Sequence, residues 1–393
     1  MKAPRDLRLL AAAVFLSALG DFVALIALVL RVHDLTGSGF AVAALFATTM
    51  VPIVALAPLA GLLADRVESV RLLVIASLAQ AAVAAALALT GSLPAILCLS
   101  LLLAAGAAVS QPAEFALVPA VAGRAGLTRA NGLMETARYA GFTAGPLVGG
   151  ALTAGGGTRL ALLVNAASFL AIAAAAALMR ARRRPERRAG TADRARDGFA
   201  FLWSEPTLRV LVAAAVAALV LISASMTAEV FYVVDVIGAG DAGFAFVIAC
   251  WTIGMVAGAN GLARRLDGPG KATAALLALA AQGAGMALGA SWAVLPVAMA
   301  GYFAGGLGHG VKNVLIRTVI AERTPEDLHG RAFAAYNGLR NTAELGALGL
   351  GGVMVATIGA QAALVIAGLG PVVAGLAGVA MLRRPREPAA VAA

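Results

Sequence analysis

Apolar residues in this chain come in long runs rather than in alternation. Stretches such as 97–109 and 272–288 are apolar on nearly every side, the pattern of a helix enclosed by lipid or protein and not the period-two pattern of a membrane β-barrel. A bilayer core is crossed by roughly 20 apolar residues in a helix, whose backbone N–H and C=O groups are satisfied internally. Runs of that length predict spans at 9–31, 41–64, 71–90, 94–116, 131–153 and 159–179, then at 208–234, 242–263, 271–290, 292–316, 332–356 and 361–382. The expected fold class is an all-α polytopic membrane protein with 12 transmembrane helices in two six-helix pseudo-repeats. The halves are 1–180 and 207–393, and 181–206 reads as a solvated cytoplasmic linker holding Arg182, Arg183, Arg184, Arg187, Arg188, Arg194 and Arg196.

The polar punctuation sets the topology. Loops on one face hold Arg66, Arg71, Arg124, Arg129, Arg264, Arg265, Lys271, Arg323 and both termini, while the other face shows Arg31 and Arg159. By the positive-inside rule both termini are cytoplasmic, and the localisation expected is the cell (inner) membrane, multi-pass. Lys2, Arg5 and Arg8 before an apolar run also fit a secretory signal, but the run resumes at Phe22, so an uncleaved first span is expected. Composition agrees: 61% hydrophobic and 13% charged residues lie far from a soluble domain. The net charge of +10 is accounted for by loop positions, so no nucleic-acid partner is expected. Cys98 and Cys250 both sit in apolar runs and read as core packing residues, with neither a disulfide framework nor a metal motif.

The halves repeat one another. Asn131-Gly132-Leu133 with Thr136-Ala137 recurs as Asn337-Gly338-Leu339 with Thr342-Ala343; Gly39-Phe40-Ala41 recurs as Gly243-Phe244-Ala245, and Gly61-Leu62 as Gly261-Leu262. Parallel six-helix repeats are one of the main transporter architectures, with the substrate site at the interface between repeats.

Two motifs carry mechanism. After span 2 comes Gly61-Leu62-Leu63-Ala64-Asp65-Arg66, followed by Arg71. Gly61 permits close helix approach, and a carboxylate past a helix end suits a helix N-terminus or an arginine. In span 5, Gly132, Gly141, Gly145-Pro146 and Gly149-Gly150 are spaced so that 141, 145 and 149 form one smooth stripe, while Pro146 removes a backbone donor. The first motif resembles the loop 2–3 signature of the major facilitator superfamily, with Glu68, Ser69 and Val70 where that family carries a glycine and more basic residues. The second is similar to the same family's fifth-helix signature, which is associated with exporters and antiporters. Pro112-Ala113, Ala116 to Pro119, Thr324-Pro325 and His329-Gly330-Arg331 extend the resemblance to its siderophore-, macrolide- and drug-efflux branch. The resemblance implies a latch between Asp65 and the start of span 11, near Gly330 and Arg331.

Charges at membrane depth are functional candidates because leaving them in lipid is costly. Asp21, Glu135, Arg138, Glu229, Lys312, Arg340 and Glu344 are the proton-coupling or cavity candidates, while Glu114 falls at the end of span 4 and is set aside. Glu135 with Arg138, and Arg340 with Glu344, have the spacing of in-helix pairs. By the repeat, Arg138 corresponds to Glu344 and Arg31 to Asp235, so these pseudo-mates carry opposite charge. Asp21 has no same-helix partner, and Asp21 and Glu229 are the leading carriers of a proton. His309 between two glycines reads either as a titrating group or as packing.

The expected protein is therefore a secondary active exporter of small molecules, proton-coupled, working by alternating access between two six-helix halves. Importing by the same fold, and a non-transporting membrane scaffold, are the alternatives. Its partners are a small-molecule substrate, protons and the lipid bilayer, and it is read as a monomer. No cofactor, metal or ATP-binding loop is expected, and no enzyme activity.

Overall fold

A computed structural model describes residues 5–56, 59–60, 63, 66–181, 192–266, 270–325 and 328–383, with the side chains of some helical residues, Gly132 and Glu135 among them, outside that description. Among the described residues every regular element is helical. The helices are α1 (Arg5–Thr36), α2 (Gly39–Ala55), α3 (Ser69–Leu89), α4 (Leu93–Glu114), α5 (136–156), α6 (158–177), α7 (Pro206–Val236), α8 (Gly240–Leu262), α9 (Lys271–Ser291), α10 (Leu295–Arg323), α11 (His329–Ile358) and α12 (Ala360–Arg383). Several run past the predicted spans, because intrahelical hydrogen bonding continues beyond the apolar stretch. Nine stretches of the described chain are long and apolar enough to cross a bilayer, one of them holding both α5 and α6. Two predicted spans fall outside these nine: α2, of which 17 contiguous residues are described, and α10, whose apolar run is broken by glycines and by His309, Lys312 and Asn313.

Helical geometry is continuous from Leu93 to Ala177. As a straight rod those 85 residues would reach about 130 Å, several times a bilayer core. Contacts show where the run reverses. Arg138 approaches Glu114, which a straight helix would hold about 36 Å away. Gly141 lies on Phe15 and Ala18, Gly145 on Leu19 and Phe22, and Gly149 on Val23 and Ile26, so α5 travels in the same direction as α1. Gly20 of α1 meets Asn165 and Ser168, and Asp6 Oδ2 accepts from the N–H groups of Arg180 (2.9 Å) and Ala181 (2.7 Å), so α6 travels in the opposite one. The turn between them is made at Gly157, with φ +73°.

Positive-φ glycines recur at the end of the bundle away from the termini: Gly37 between α1 and α2, Gly157, Gly238 and Gly240 between α7 and α8, and Gly359 between α11 and α12. A Cβ is disfavoured in that conformation, so glycine fixes these tight reversals. Gly238 follows Gly37 by 201 residues and Gly359 follows Gly157 by 202, so the repeat extends to turn geometry.

The linker is not wholly irregular. Ala192–Ser204 is helical, Leu202 is fully buried, Gly198 packs on the backbone of Arg331, and Arg331 Nη1 is 3.1 Å from Asp197 Oδ2. Its apolar face docks on α11, which corrects the expectation of a fully solvated segment. A second helix support is the N-cap of α7, where Glu205 accepts from Leu208 N at 2.5 Å ahead of Pro206.

The first and last six helices meet at the far end. Gly39 of α2 lies against Val355 and Gly352 of α11, and Gly150 of α5 lies against Ala245 of α8. A Cβ added at Gly145 would sit 2.5 Å from Phe22 Cβ, whereas one at Gly149 would sit 3.1 Å from its nearest neighbour, Val23 Cα. Gly145→Ala is therefore expected to destabilise by about 1–3 kcal/mol, and Gly149→Ala by less. Thermal unfolding of the purified variants in detergent checks the order, and equal losses would refute the α1–α5 separation described.

Candidate functional site

A cavity of about 280 Å³ opens among the first six helices. Its wall includes Asp21, Phe22 and Leu25 of α1, Thr49 and Met50 of α2, Gln80 of α3, Ser100 and Gln111 of α4, Phe142 of α5, and Met226 from α7. The lining is mainly apolar with a few polar groups, the usual make-up of a small-molecule site. Asp21 is the acid in that wall. It is the seventeenth residue of a 32-residue helix, so it stands close to mid-membrane, with its side chain open to the cavity.

Asp21 is not as isolated as its sequence suggests. Ser17, one turn earlier, lies beside its carboxylate, and the charges of Glu114 and Arg138 act on it from α4 and α5. Arg138 Nη2 is 3.6 Å from Glu114 Oε1, both largely buried. Glu114, set aside on sequence as the end of a span, thus belongs to the interior. The signal was available: Ser100, Gln111 and Glu114 share one face of α4, offset by 11 and 14 residues, three and four helical turns. Arg138 reaches a different helix rather than its pseudo-mate Glu344. The proposed partner on its own helix, Glu135, lies outside the described side chains, as does Gly132.

The last six helices hold two further groups. The Glu229 carboxylate of α7 faces the hydroxyl of buried Tyr302 of α10, and Glu229 does not line the Asp21 cavity. Lys312 of α10, buried, shares its surroundings with Arg340 and Glu344 of α11. His309 bonds Asn313 at 2.7 Å and packs 5.5 Å from the Trp251 ring, so it is held by its neighbours. The structure thus brings Asp21 together with Arg138, and Lys312 with Arg340 and Glu344, but separates Asp21 from Glu229. One cluster has two acids and a base, the other two bases and an acid.

Gly61 and Asp65 lie outside the described residues. Arg66 and Arg71 are exposed, and the described partner of Arg331 is Asp197. In the fifth-helix motif, Gly141, Gly145 and Gly149 form the predicted stripe against α1, Pro146 is buried within the helix, and Gly150 faces α8 instead. Cys98 is exposed, on the face of α4 opposite the cavity beside Leu101 and Leu102, which corrects the core assignment; Cys250 is half-buried. At the far end, Asp235 bonds His33 rather than Arg31, whose guanidinium instead donates to the carbonyls of Leu87 (3.0 Å) and Thr90. Sequence reading passed over His33 because it lies just beyond the predicted first span.

No curated protein sequence matches the chain. Among solved structures, the nucleoside transporter NupG superposes with a TM-score of 0.76 at 14% identity, covering 97% of this chain and 100% of that one. A bacterial homolog to the human lysosomal transporter Spinster, inward-facing and unoccupied, gives 0.74 at 14%, covering 98% of each chain. The human organic anion transporter MFSD10 (TETRAN) gives 0.65 at 20%, covering 97% and 100%. At these identities the likeness is one of fold. The sequence profile of the Major Facilitator Superfamily, however, matches residues 10–343, most of the chain, and this multi-pass membrane protein belongs to that family.

Proposed function

We propose that the chain is a proton-coupled exporter of moderately hydrophobic small molecules, acting as a monomer in the cell membrane with both termini in the cytoplasm. The observation that carries this reading is Asp21, a carboxylate at mid-membrane in the wall of an otherwise mainly apolar cavity. A carboxylate there is costly to keep charged, so it gains from taking a proton and from meeting substrate or water as access alternates. The glycine stripe of α5 on α1 supports the exporter assignment through its likeness to the family's fifth-helix signature. The contacts between halves at Gly39 with Val355 and at Gly150 with Ala245 fit a state closed on the outer side. Glu114 and Arg138 belong to the coupling group as the charges closest to Asp21, and Glu229 with Tyr302 is a second protonatable position.

Everted membrane vesicles with an imposed pH gradient and a panel of hydrophobic compounds test the direction. Net uptake into such vesicles marks export, and uptake into right-side-out vesicles alone marks import. Asp21→Asn keeps the shape and a hydrogen-bonding group but removes titration, so it is expected to retain substrate binding and to lose gradient-driven uptake to the level of empty vesicles. Uptake by Asp21→Asn at the wild-type rate would overturn the assignment of Asp21. Glu229→Gln is expected to lower the rate without abolishing uphill transport; complete loss there would move the coupling to α7.

A further inference from the structure

His33 sits where α1 meets α7, at the far end of the bundle. Its Nδ1 is 3.1 Å from Asp34 Oδ1 and its Nε2 is 3.0 Å from Asp235 Oδ2. The ring is buried, with 9% of its side chain exposed, and Phe231 of α7 packs edge-on at 4.9 Å, while the carboxylates of Asp34 and Asp235 are 60% and 52% exposed. Ionised carboxylates accept and do not donate, and a neutral imidazole has a single N–H. Both contacts are therefore hydrogen bonds when the ring is the doubly protonated imidazolium. Asp241, at the start of α8, adds a third acidic group acting on the site, and Arg31 is turned away onto the carbonyls of Leu87 and Thr90.

The pair joins the two halves, whereas Arg138 with Glu114 and Lys271 with Glu322 each stay within one. It lies 12 residues beyond Asp21, about 18 Å further along α1, on the side closed by Gly39 and Val355. We propose that His33 and Asp235 form a proton-dependent latch of the outer gate: the imidazolium holds α1 to α7, and its loss of a proton to outside water, reached through the exposed carboxylates, frees them to part. This rests on alternating access as the working mode, but not on export or on coupling at Asp21.

The test reads the gate and not transport. Spin labels on cysteines placed at Leu89, at the outer end of α3, and at Ile358, at the outer end of α11, with Cys98 and Cys250 replaced by serine, report the outer separation by pulsed electron resonance. Raising the pH from about 5 to about 8, across the usual range of histidine, is expected to raise the ratio of open to closed molecules about tenfold in the protein with His33 intact. His33→Gln, which cannot donate to both carboxylates from two ring positions, is expected to leave the outer side open at every pH. Asp235→Asn, a gentler change, is expected to flatten the pH response as well. A separation independent of pH in the protein with both His33 and Asp235 intact, or a full pH response in either variant, would overturn the latch. Asp21→Asn in the same labelled background is expected to keep the pH response; if vesicle uptake then survives in Asp21→Asn, the coupling assignment fails and the latch stands.

Discussion

In hydrocarbon, two helices gain nothing by hiding apolar side chains from each other, because lipid is as apolar as leucine. Association then depends on dispersion contacts at close backbone approach, and small residues set how close that approach is. Here the dependence is visible helix by helix. Gly141, Gly145 and Gly149 seat α5 on α1; Gly254 and Gly306 seat α8 and α10 against each other; Gly283 and Gly368 do the same for α9 and α12. The glycines that permit these contacts also fix which faces are left to line the cavity, so the position of Asp21 follows from the packing of α1 on α5 and α6.

Charge is placed within that frame by a second constraint, the cost of an unpaired ion in lipid. Arg138 and Glu114 meet from different helices, and Lys312 is buried beside Arg340 and Glu344. The two halves hold opposite excesses, acidic around Asp21 and basic around Lys312.

Most of the fold was legible because bilayer thickness imposes a length on each apolar run, and every run predicted corresponds to a helix. The turn glycines at 37, 157, 238 and 359 were present in the sequence, but a positive φ is a property of the folded backbone. The linker helix escaped because its apolar residues, Phe201 and Leu202 among them, are sparse beside its arginines. In the site, Asp21 was legible as a lone carboxylate in an apolar run, whereas its neighbours were not. A serine such as Ser17 carries no signal in sequence of which carboxylate it neighbours, and Glu114, near the end of an apolar run, is turned inward by the face it shares with Ser100 and Gln111, which hydropathy does not measure. The repeat relates Arg138 to Glu344 and Arg31 to Asp235, yet Arg138 lies near Glu114 and Asp235 bonds His33. Symmetry relates equivalent positions in two halves, but ion pairs form between side chains that are near, and equivalent positions need not touch.

The first half is held at Ala181, pinned with Arg180 to Asp6, and the linker helix from Ala192 is docked on α11 through Gly198, Leu202 and the Arg331–Asp197 pair. Both anchor points therefore travel with the halves that hold them. The 11 residue steps from Ala181 to Ala192 reach at most about 40 Å when fully extended. That covalent length acts as a leash: it caps how far the mouth at the linker end can gape, whatever the substrate, and shortening it would narrow the mouth without touching the cavity.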